Sequence, residues 1–344
     1  MRVGICGYPG SGKTTVFEAL AGDTWTERGV TFGRTQVPDD RVDQLTEVFS
    51  PKKTVYAEIT FMDVGGGGRY DTGAFPPDVV QNMRNADVLV HVVRAFDNPM
   101  VGADIDVAGD EGKFTDELLL LDLEVLERRR DRMKKEGRKD RTFTVTQATV
   151  EHLEGGEPLR TAELAEEDWE TFKDVQLLSD KPLITLYNLG EGEWESSDYA
   201  GYKDIKETGN DAISMAICGV MEVEIATLEP EEQAEFLEGL GLGEPARNEF
   251  IRTAYRLLDL ISFLTAGPDE CRAWPVRRGS SAPKAAGKVH SDIERGFIRA
   301  EVYQLADLLE FGDEAALKAK GRLRVEGKAY IIQDGDVVNY LFNV

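Results

Sequence analysis

Cysteine, histidine and long apolar runs are what this chain has least of. Its three cysteines (Cys6, Cys218, Cys271) and three histidines (His91, His152, His290) are scattered through 344 residues. That spacing argues against a disulfide framework and against a metal centre built on thiols and imidazoles, and it suits a reducing compartment. No apolar stretch approaches the roughly 20 residues of a membrane span, and the N-terminus enters a strand-like run in place of a signal-peptide pattern. Basic residues are the other shortage, 40 against 64 acidic, for a net charge of −24. A surface this acidic repels polyanions except where basic residues cluster. Membrane association and sequence-specific DNA binding are therefore not expected, and a monomer is the expected state.

What remains is the composition of a globular protein, 41% hydrophobic and 30% charged. Its length allows two or three domains and a sizeable core. The charge is uneven: from Asp259 onward 12 basic residues face 13 acidic ones, so nearly all the excess lies in the first 258. Inside that acidic part, Arg128 to Arg141 holds nine basic residues against three acidic. Such a run is either a solvated helix face or a patch for an anionic partner such as RNA.

Gly7-Tyr8-Pro9-Gly10-Ser11-Gly12-Lys13-Thr14 fits G-x-x-x-x-G-K-[ST], the pattern of a phosphate-cradling loop. Val3 to Cys6 before it reads as a buried strand, and Thr15 to Leu20 after it as the first turns of a helix. Glycines at both ends let backbone N–H groups turn inward around phosphate oxygens, and the helix N-terminus adds partial positive charge. Tyr8, Pro9, Gly10, Ser11, Gly12, Lys13, Thr14 and Thr15 are the predicted nucleotide contacts. Lys13 would bridge the β- and γ-phosphates, and the Thr14 hydroxyl would sit on Mg²⁺.

Downstream, Gly22 to Gly33 is polar and turn-rich, where such domains put a first switch loop; Thr24, Thr26 and Thr31 each offer a hydroxyl, none singled out by pattern. Val55 to Met62 alternates and reads as one strand ending at Asp63. Asp63-Val64-Gly65-Gly66 then matches D-x-x-G: Asp63 would hold Mg²⁺ through a water, and the Gly66 N–H would sense the γ-phosphate. Val88 to Val93 reads as a buried parallel strand, with His91 a core histidine. A helical stretch from Leu118, basic through Arg141, and a second from about Thr161 to Leu178 form a helical insertion, with Leu119, Leu123 and Leu126 as its seam. Pro182 to Tyr187 is another strand, ending in Asn188-Leu189-Gly190-Glu191. Guanine-nucleotide domains carry N-K-x-D here; Leu189 and Glu191 replace the Lys and Asp and weaken the case for guanine. A last strand, Ile213 to Ile217, leads to Cys218-Gly219, a base-side loop. From about Asp259, short strand-like runs surround one helical stretch near Ala306–Lys320, with Arg272, Arg277, Arg278, Lys284 and Lys288 as a second basic region.

The order of these motifs, the N-x-x-E ending and the runs FLTAGPDECRAWPVRRGSSAPKAAGKVHSDIERGFIRAEV and EGKAYIIQDGDVVNYLFNV resemble the Obg-like ATPase (YchF) family of translation-factor-class P-loop proteins. ADVLVHVVRAFDNP, PDDRVDQL and CGVMEVEIATL match as well, so the resemblance spans essentially the whole chain. It implies an α/β fold: a P-loop NTPase (Ras-like/Obg-like) parallel-sheet domain over 1–113 and 179–258, a coiled-coil-like insertion over 114–178, and an α+β β-grasp (TGS-type) domain over 259–344. It also implies ATP favoured over GTP, a cytoplasmic setting and association with ribosomes, through the basic run 128–141 and the C-terminal domain. The chain departs from the family in three places. Gly10 stands where the family's GLPNVGKS-like loop has Asn, the FCTIEPN-like first switch is shortened away, and Gly67 replaces the hydrophobic residue after the D-x-A-G motif.

Two functions of different class follow, with a third on the fold alone. One is a slow, regulatory, Mg²⁺-dependent ATPase. Another is a nucleotide-gated ribosome- or RNA-binding module with hydrolysis largely lost. The third is a GTPase proper. Neither Gln81 nor His91, both on predicted regular elements, is suited to orienting water, so hydrolysis is expected to be slow.

Overall fold

Short β-rich apolar runs alternating with amphipathic helices build a parallel sheet covered on both faces. The structure is a computed structural model and describes residues 1–65, 75–102, 104–209, 211–240 and 242–343. The strands are β1 (Arg2–Cys6), β2 (Asp23–Glu27), β3 (Val30–Gln36), β4 (Lys53–Val55), β5 (Glu58–Asp63), β6 (Val88–Ala95), β7 (Leu183–Leu189), β8 (Lys206–Gly209), β9 (Ala212–Ile217), β10 (Leu260–Thr265), β11 (Glu270–Arg277), β12 (Phe297–Gln304), β13 (Arg324–Glu326) and β14 (Asp336–Phe342). Eight form one sheet in the order β2-β3-β5-β1-β6-β7-β9-β8. Its centre is parallel: β1 pairs with β5 and β6, β6 with β7, and β7 with β9. All eight residues of β6 are buried, as a strand flanked on both sides and covered on both faces requires. The C-terminal ends of β5, β1, β6, β7 and β9 therefore share one edge of the sheet, the place where open α/β sheets bind ligands.

The chain divides into two compact units, residues 1–35 with 60–250, and residues 36–59 with 251–344. Sequence reading groups 36–59 with the nucleotide-binding domain, whereas here they join the C-terminal unit. The reason is strand pairing: β4 adds in parallel to β11, at the end of a six-stranded sheet ordered β13-β12-β14-β10-β11-β4. The helix Asp40–Phe49 is tied in by Arg41, whose guanidinium pairs with Asp334 at 3.0 Å. The alternating run Val55–Met62 is thus two strands, β4 and β5, serving different sheets. The other division falls within the helix Ala246–Leu257, at 250/251 rather than 258/259. In the C-terminal unit the helix Ala282–Val289 buries Ala282, Ala285 and Ala286 in a cluster with Phe263, Ala300, Val302 and Val338. The predicted helix Ala306–Lys320 is broken into Leu305–Phe311 and Glu314–Ala319, because Gly312 turns at φ +89° and Asp313 caps the second piece. Tyr330–Ile332 forms no strand, only a single bridge from Ile331 to Ser281.

Two further expectations change. Gly22–Gly33 is a β-hairpin, not a loop: β2 and β3 pair antiparallel, with Glu27 opposite Val30. Arg28 and Gly29 both take positive φ (52° and 82°), the two-residue turn whose twist suits a tight hairpin. Trp25 stacks on Phe32 across it, ring centroids 5.5 Å apart. The insertion is a helical hairpin whose arms are Val107–Lys135 and Arg141–Glu154, not the stretches read from the sequence. Asp106 and Asp140 cap them, accepting from Gly109 N and Phe143 N. The stretch Thr161–Leu178 holds only short turns around Glu166–Trp169 and Glu170–Phe172. Leu119 and Leu126 are buried in the seam and Leu123 packs against it, opposite Val145, Val150 and Leu153.

Candidate functional site

The loop between β1 and the helix Lys13–Leu20 crosses the shared sheet edge. Its glycines hold left-handed conformations: Gly10 at φ +81° and Gly12 at φ +85°, the latter serving as N-cap with no side-chain cap of its own. The first-turn N–H groups are therefore left for a ligand, at the positive end of the helix. Lys13 opens that helix and is 9% exposed. Burial pulls its ammonium below the ordinary lysine range, while the negative charge of Asp63 pushes the other way. The Cys6 thiol, pushed up to about 12 by burial, stays protonated at neutral pH, so Asp63 is the effective counter-charge. Asp63 ends β5 and accepts from Gly65 N at 3.1 Å.

Asn188, near the end of β7 and 4% exposed, joins two loops. Its Nδ2 donates to the Ser11 carbonyl at 3.0 Å, and its Oδ1 accepts from Gly219 N at 3.0 Å. The predicted phosphate loop and the predicted base-side loop are thus braced by the predicted asparagine. Asn188 and part of the phosphate loop border a cavity of about 420 Å³ lined by Pro9, Gly10, Gly12, Lys13, Thr14, Thr15, Asn188 and Leu189, with Phe96, Asn98, Gly190 and Val220.

Other predicted residues lie outside that lining. Tyr8 turns its side chain away, stacking on Phe75 at 5.5 Å, while its hydroxyl reaches Glu117 of the long helix at 3.5 Å. Glu117 also accepts from Phe75 N. Ser11 and Cys218 are buried, and Gly219 offers its N–H to Asn188. Glu191 is exposed, in the first turn of the short helix Glu191–Glu195. Although Leu189 lines the cavity, its side chain packs with Ala95, Trp194, Cys218 and Met221. Gly66 and Gly67 lie outside the described residues. Thr24, Thr26 and Thr31 are on the hairpin and absent from the lining. Gln81 bonds to Asn85, and His91 is buried against Phe114 at 3.9 Å, its pKa pulled down to about 3 by burial.

Phe96, Asn98, Gly190 and Val220 were not read from the sequence. The usable signal is position alone: each follows the C-terminal end of β6, β7 or β9 by a few residues. As to metal, no group of three or more His, Cys, Asp or Glu gathers among the described residues. One exposed hydroxyl, Thr14, and one carboxylate, Asp63, make a donor set that fits Mg²⁺, which keeps waters and takes phosphate oxygens rather than an all-protein cage.

The basic run is largely neutralised within the fold. Arg128 pairs with Glu124, Arg129 with Asp174, Arg130 with Glu127, Arg138 with Asp140, and Arg141 with Glu167 and Asp168. Arg132 lies 3.9 Å from Glu136. Among the described residues, Lys134, Lys135 and Lys139, near the hairpin tip, make no such pair. No helix among the described residues is long and apolar enough to cross a membrane.

Residues 2–136 match the family described as "50S ribosome-binding GTPase" (MMR_HSR1), and residues 260–343 match YchF-GTPase_C, described as a protein of unknown function. The chain is 36% identical to the ribosome-binding ATPase YchF of Bacillus subtilis, with all of both chains covered. It is 34% identical to the same-named protein of Escherichia coli O157:H7, over all of this chain and 99% of that one. Its fold is similar to that of the Schizosaccharomyces pombe YchF GTPase, with a TM-score of 0.88 at 26% identity over 99% and 97% of the two chains.

Proposed function

The chain belongs to the YchF family of Obg-like ATPases, and from that premise we propose that it is a regulatory P-loop ATPase that acts on the ribosome and turns over slowly. The observation that carries the nucleotide reading is the double brace of Asn188. It ties the cradle of Gly7–Thr14 to the Cys218-Gly219 loop around a cavity into which the Lys13 end of a helix opens.

In this reading the loop N–H groups and the helix terminus hold the phosphates, and Lys13 bridges the β- and γ-phosphates. Held in a buried site against Asp63, its charge is worth more than in water and needs no reorganisation as the transition state forms. Thr14 and Asp63, the latter through a water, would hold Mg²⁺, which neutralises charge on the transferring phosphoryl group. Phe96 and Val220 offer apolar walls to a base. Leu189, with its side chain in the core, and Glu191, exposed and one methylene longer than Asp, lack the pairing that reads guanine, which supports ATP. Gln81 and His91 are both engaged elsewhere, so neither of the candidates is placed to orient water. Turnover without a partner then belongs at or below the range of order 10⁻⁴ to 10⁻² s⁻¹ seen for such domains.

The ribosome comes from the names of the relatives, and a cytoplasmic setting follows from that partner. The surfaces we assign to it are the hairpin tip, with Lys134, Lys135 and Lys139, and the basic positions Arg277, Lys284 and Lys288 of the C-terminal unit.

Calorimetric titration with ATP and GTP analogues in Mg²⁺, followed by co-sedimentation with ribosomes, tests the reading. ATP should bind at least tenfold tighter than GTP, about 1.4 kcal/mol. Equal or tighter GTP binding sinks the ATP assignment, and no heat with either sinks nucleotide binding. Phosphate release above about 1 s⁻¹ from the isolated protein, abolished in Lys13→Ala, would show the slow site to be misjudged.

A further inference from the structure

We propose that Asn98 is a positioning residue for the phosphate loop, holding Gly10 as Asn188 holds Ser11; the proposal rests on the nucleotide-binding reading above. Asn98 follows the end of β6 and borders the cavity. Its Nδ2 donates to the Gly10 carbonyl at 3.1 Å, and its Oδ1 accepts from Met100 N at 3.1 Å. Val101 N closes a turn on the Asn98 carbonyl at 2.9 Å. The side-chain amide is thereby oriented from both ends. Asn188 is used in the same way, its oxygen on the Gly219 N–H and its nitrogen on the Ser11 carbonyl. Two asparagines from two different strand ends therefore grip two consecutive carbonyls of the cradle.

The consequence follows from the planar trans peptide, whose C=O and N–H point in opposite directions. A donor on the Gly10 carbonyl sets the direction of the Ser11 N–H, which closes a turn on the Tyr8 carbonyl at 3.2 Å. A donor on the Ser11 carbonyl sets the Gly12 N–H. The bend between Tyr8 and Gly12 contains two left-handed glycines, the residues with the most backbone freedom to lose. Without these anchors it would sample other arrangements. A side chain at position 10 would have to displace the exposed Val101 side chain, into which its Cβ would run, and would lie 3.4 Å from Asn98 Nδ2, on a backbone at φ +81° that disfavours any Cβ. The turn Asn98–Val101 occupies that volume and supplies, from outside the loop, an amide that Gly10 does not carry.

Asn98 touches no reacting atom, so its contribution is to binding of the phosphates in ground and transition state alike. The test uses full-length Asn98→Ala and Asn98→Asp, measuring ATP-analogue affinity, KM, kcat and the nucleotide-free melting point. Asp keeps the acceptor for Met100 N, and with it the turn, but has no N–H for Gly10. In the Ala variant Kd and KM should rise about 3- to 10-fold, the loss of one net hydrogen bond, and in the Asp variant by at least as much, because its carboxylate also repels the Gly10 carbonyl and the phosphates. Meanwhile kcat should change less than twofold, and the melting point should stay within about 2 °C. Wild-type affinity in the Asp variant, whatever the Ala variant does, overturns the role, because the turn alone would then suffice. A fall in kcat at constant KM overturns it too. Absence of binding by the unaltered protein, seen in the same titration, defeats the nucleotide reading itself and is distinct from either.

Discussion

Gly12 holds φ at +85°, and a Cβ there would collide with the amide nitrogen of Asn188. Gly12→Ala must therefore displace either the cradle or its brace. The left-handed backbone adds a strain of about 1 kcal/mol or more. We expect ATP-analogue binding by Gly12→Ala to fall beyond the range of a calorimetric titration while the protein still melts cooperatively; binding within threefold of wild type would contradict the geometry. His91 makes a second prediction at this scale. Its ring is stacked between Phe114 and the edge of Tyr8, Nε2 has no hydrogen-bond partner among the described residues, and burial pulls its pKa from 6.5 to about 3. The unfolded chain takes up this proton near pH 6.5 and the folded one does not, so stability is complete above that value and is lost as pH falls toward 3. From pH 7 to 5 the loss is about 2 kcal/mol. Asp180 runs the other way: burial and Asp122 raise its carboxyl to about 6, so its penalty is relieved over the same interval. Denaturant melts of wild type and His91→Phe, compared at each pH, isolate the histidine. The difference between them should shift by roughly that amount in favour of the variant at pH 5, and a pH-independent difference would refute the assignment.

Among the elements, the long helix Val107–Lys135 packs Phe114 and Leu118 into the core beside the sheet and is clasped to the segment before β7 by one buried carboxylate. Asp122, fully buried, accepts from Leu178 N at 2.9 Å and from Ser179 N and Oγ at 2.7 and 2.8 Å, with Arg84 3.9 Å away. Burial raises its pKa, and the two backbone donors, the Ser179 hydroxyl and Arg84 oppose the rise. Replacing it by Ala leaves the buried Leu178 and Ser179 N–H groups without their acceptor and Arg84 without its nearby counter-charge, a class of change that costs about 3–5 kcal/mol. We expect Asp122→Ala to lose about that much in chemical denaturation, with amide exchange accelerated first around Leu178 and Ser179. A loss below about 1 kcal/mol would mean the clasp is dispensable. The same helix carries Glu117, which receives the Tyr8 hydroxyl and the Phe75 N–H, so it touches both the phosphate loop and the first described residue after 66–74.

At the scale of the whole molecule, the C-terminal unit is discontinuous in sequence. Residues 251–344 alone lack β4 and the helix Asp40–Phe49, leaving the edge of β11 unpaired and Asp334 without Arg41. That fragment should melt at least 5 °C below one in which 36–59 is joined to it by a flexible linker, by scanning calorimetry; equal melting points would show that β4 is an ornament. Much of this protein was legible in one dimension, because its signals are local. The G-x-x-x-x-G-K-T loop, the apolar run Val88–Val93 around His91, the Leu119–Leu126 seam and Asn188 at a strand end each declare themselves within a few residues. The run 36–59 did not, because strand pairing is non-local: Val55 and Glu58 look like one alternating strand until β11 claims the first. Nor did the hairpin at Arg28-Gly29, whose turn depends on a left-handed arginine that propensity does not announce. Asn98 is the sharpest case. As sequence it is a polar residue in a loop. Only the fold brings its amide to the Gly10 carbonyl, 88 residues away, because side-by-side parallel strands deliver their C-terminal loops to one edge whatever their distance along the chain.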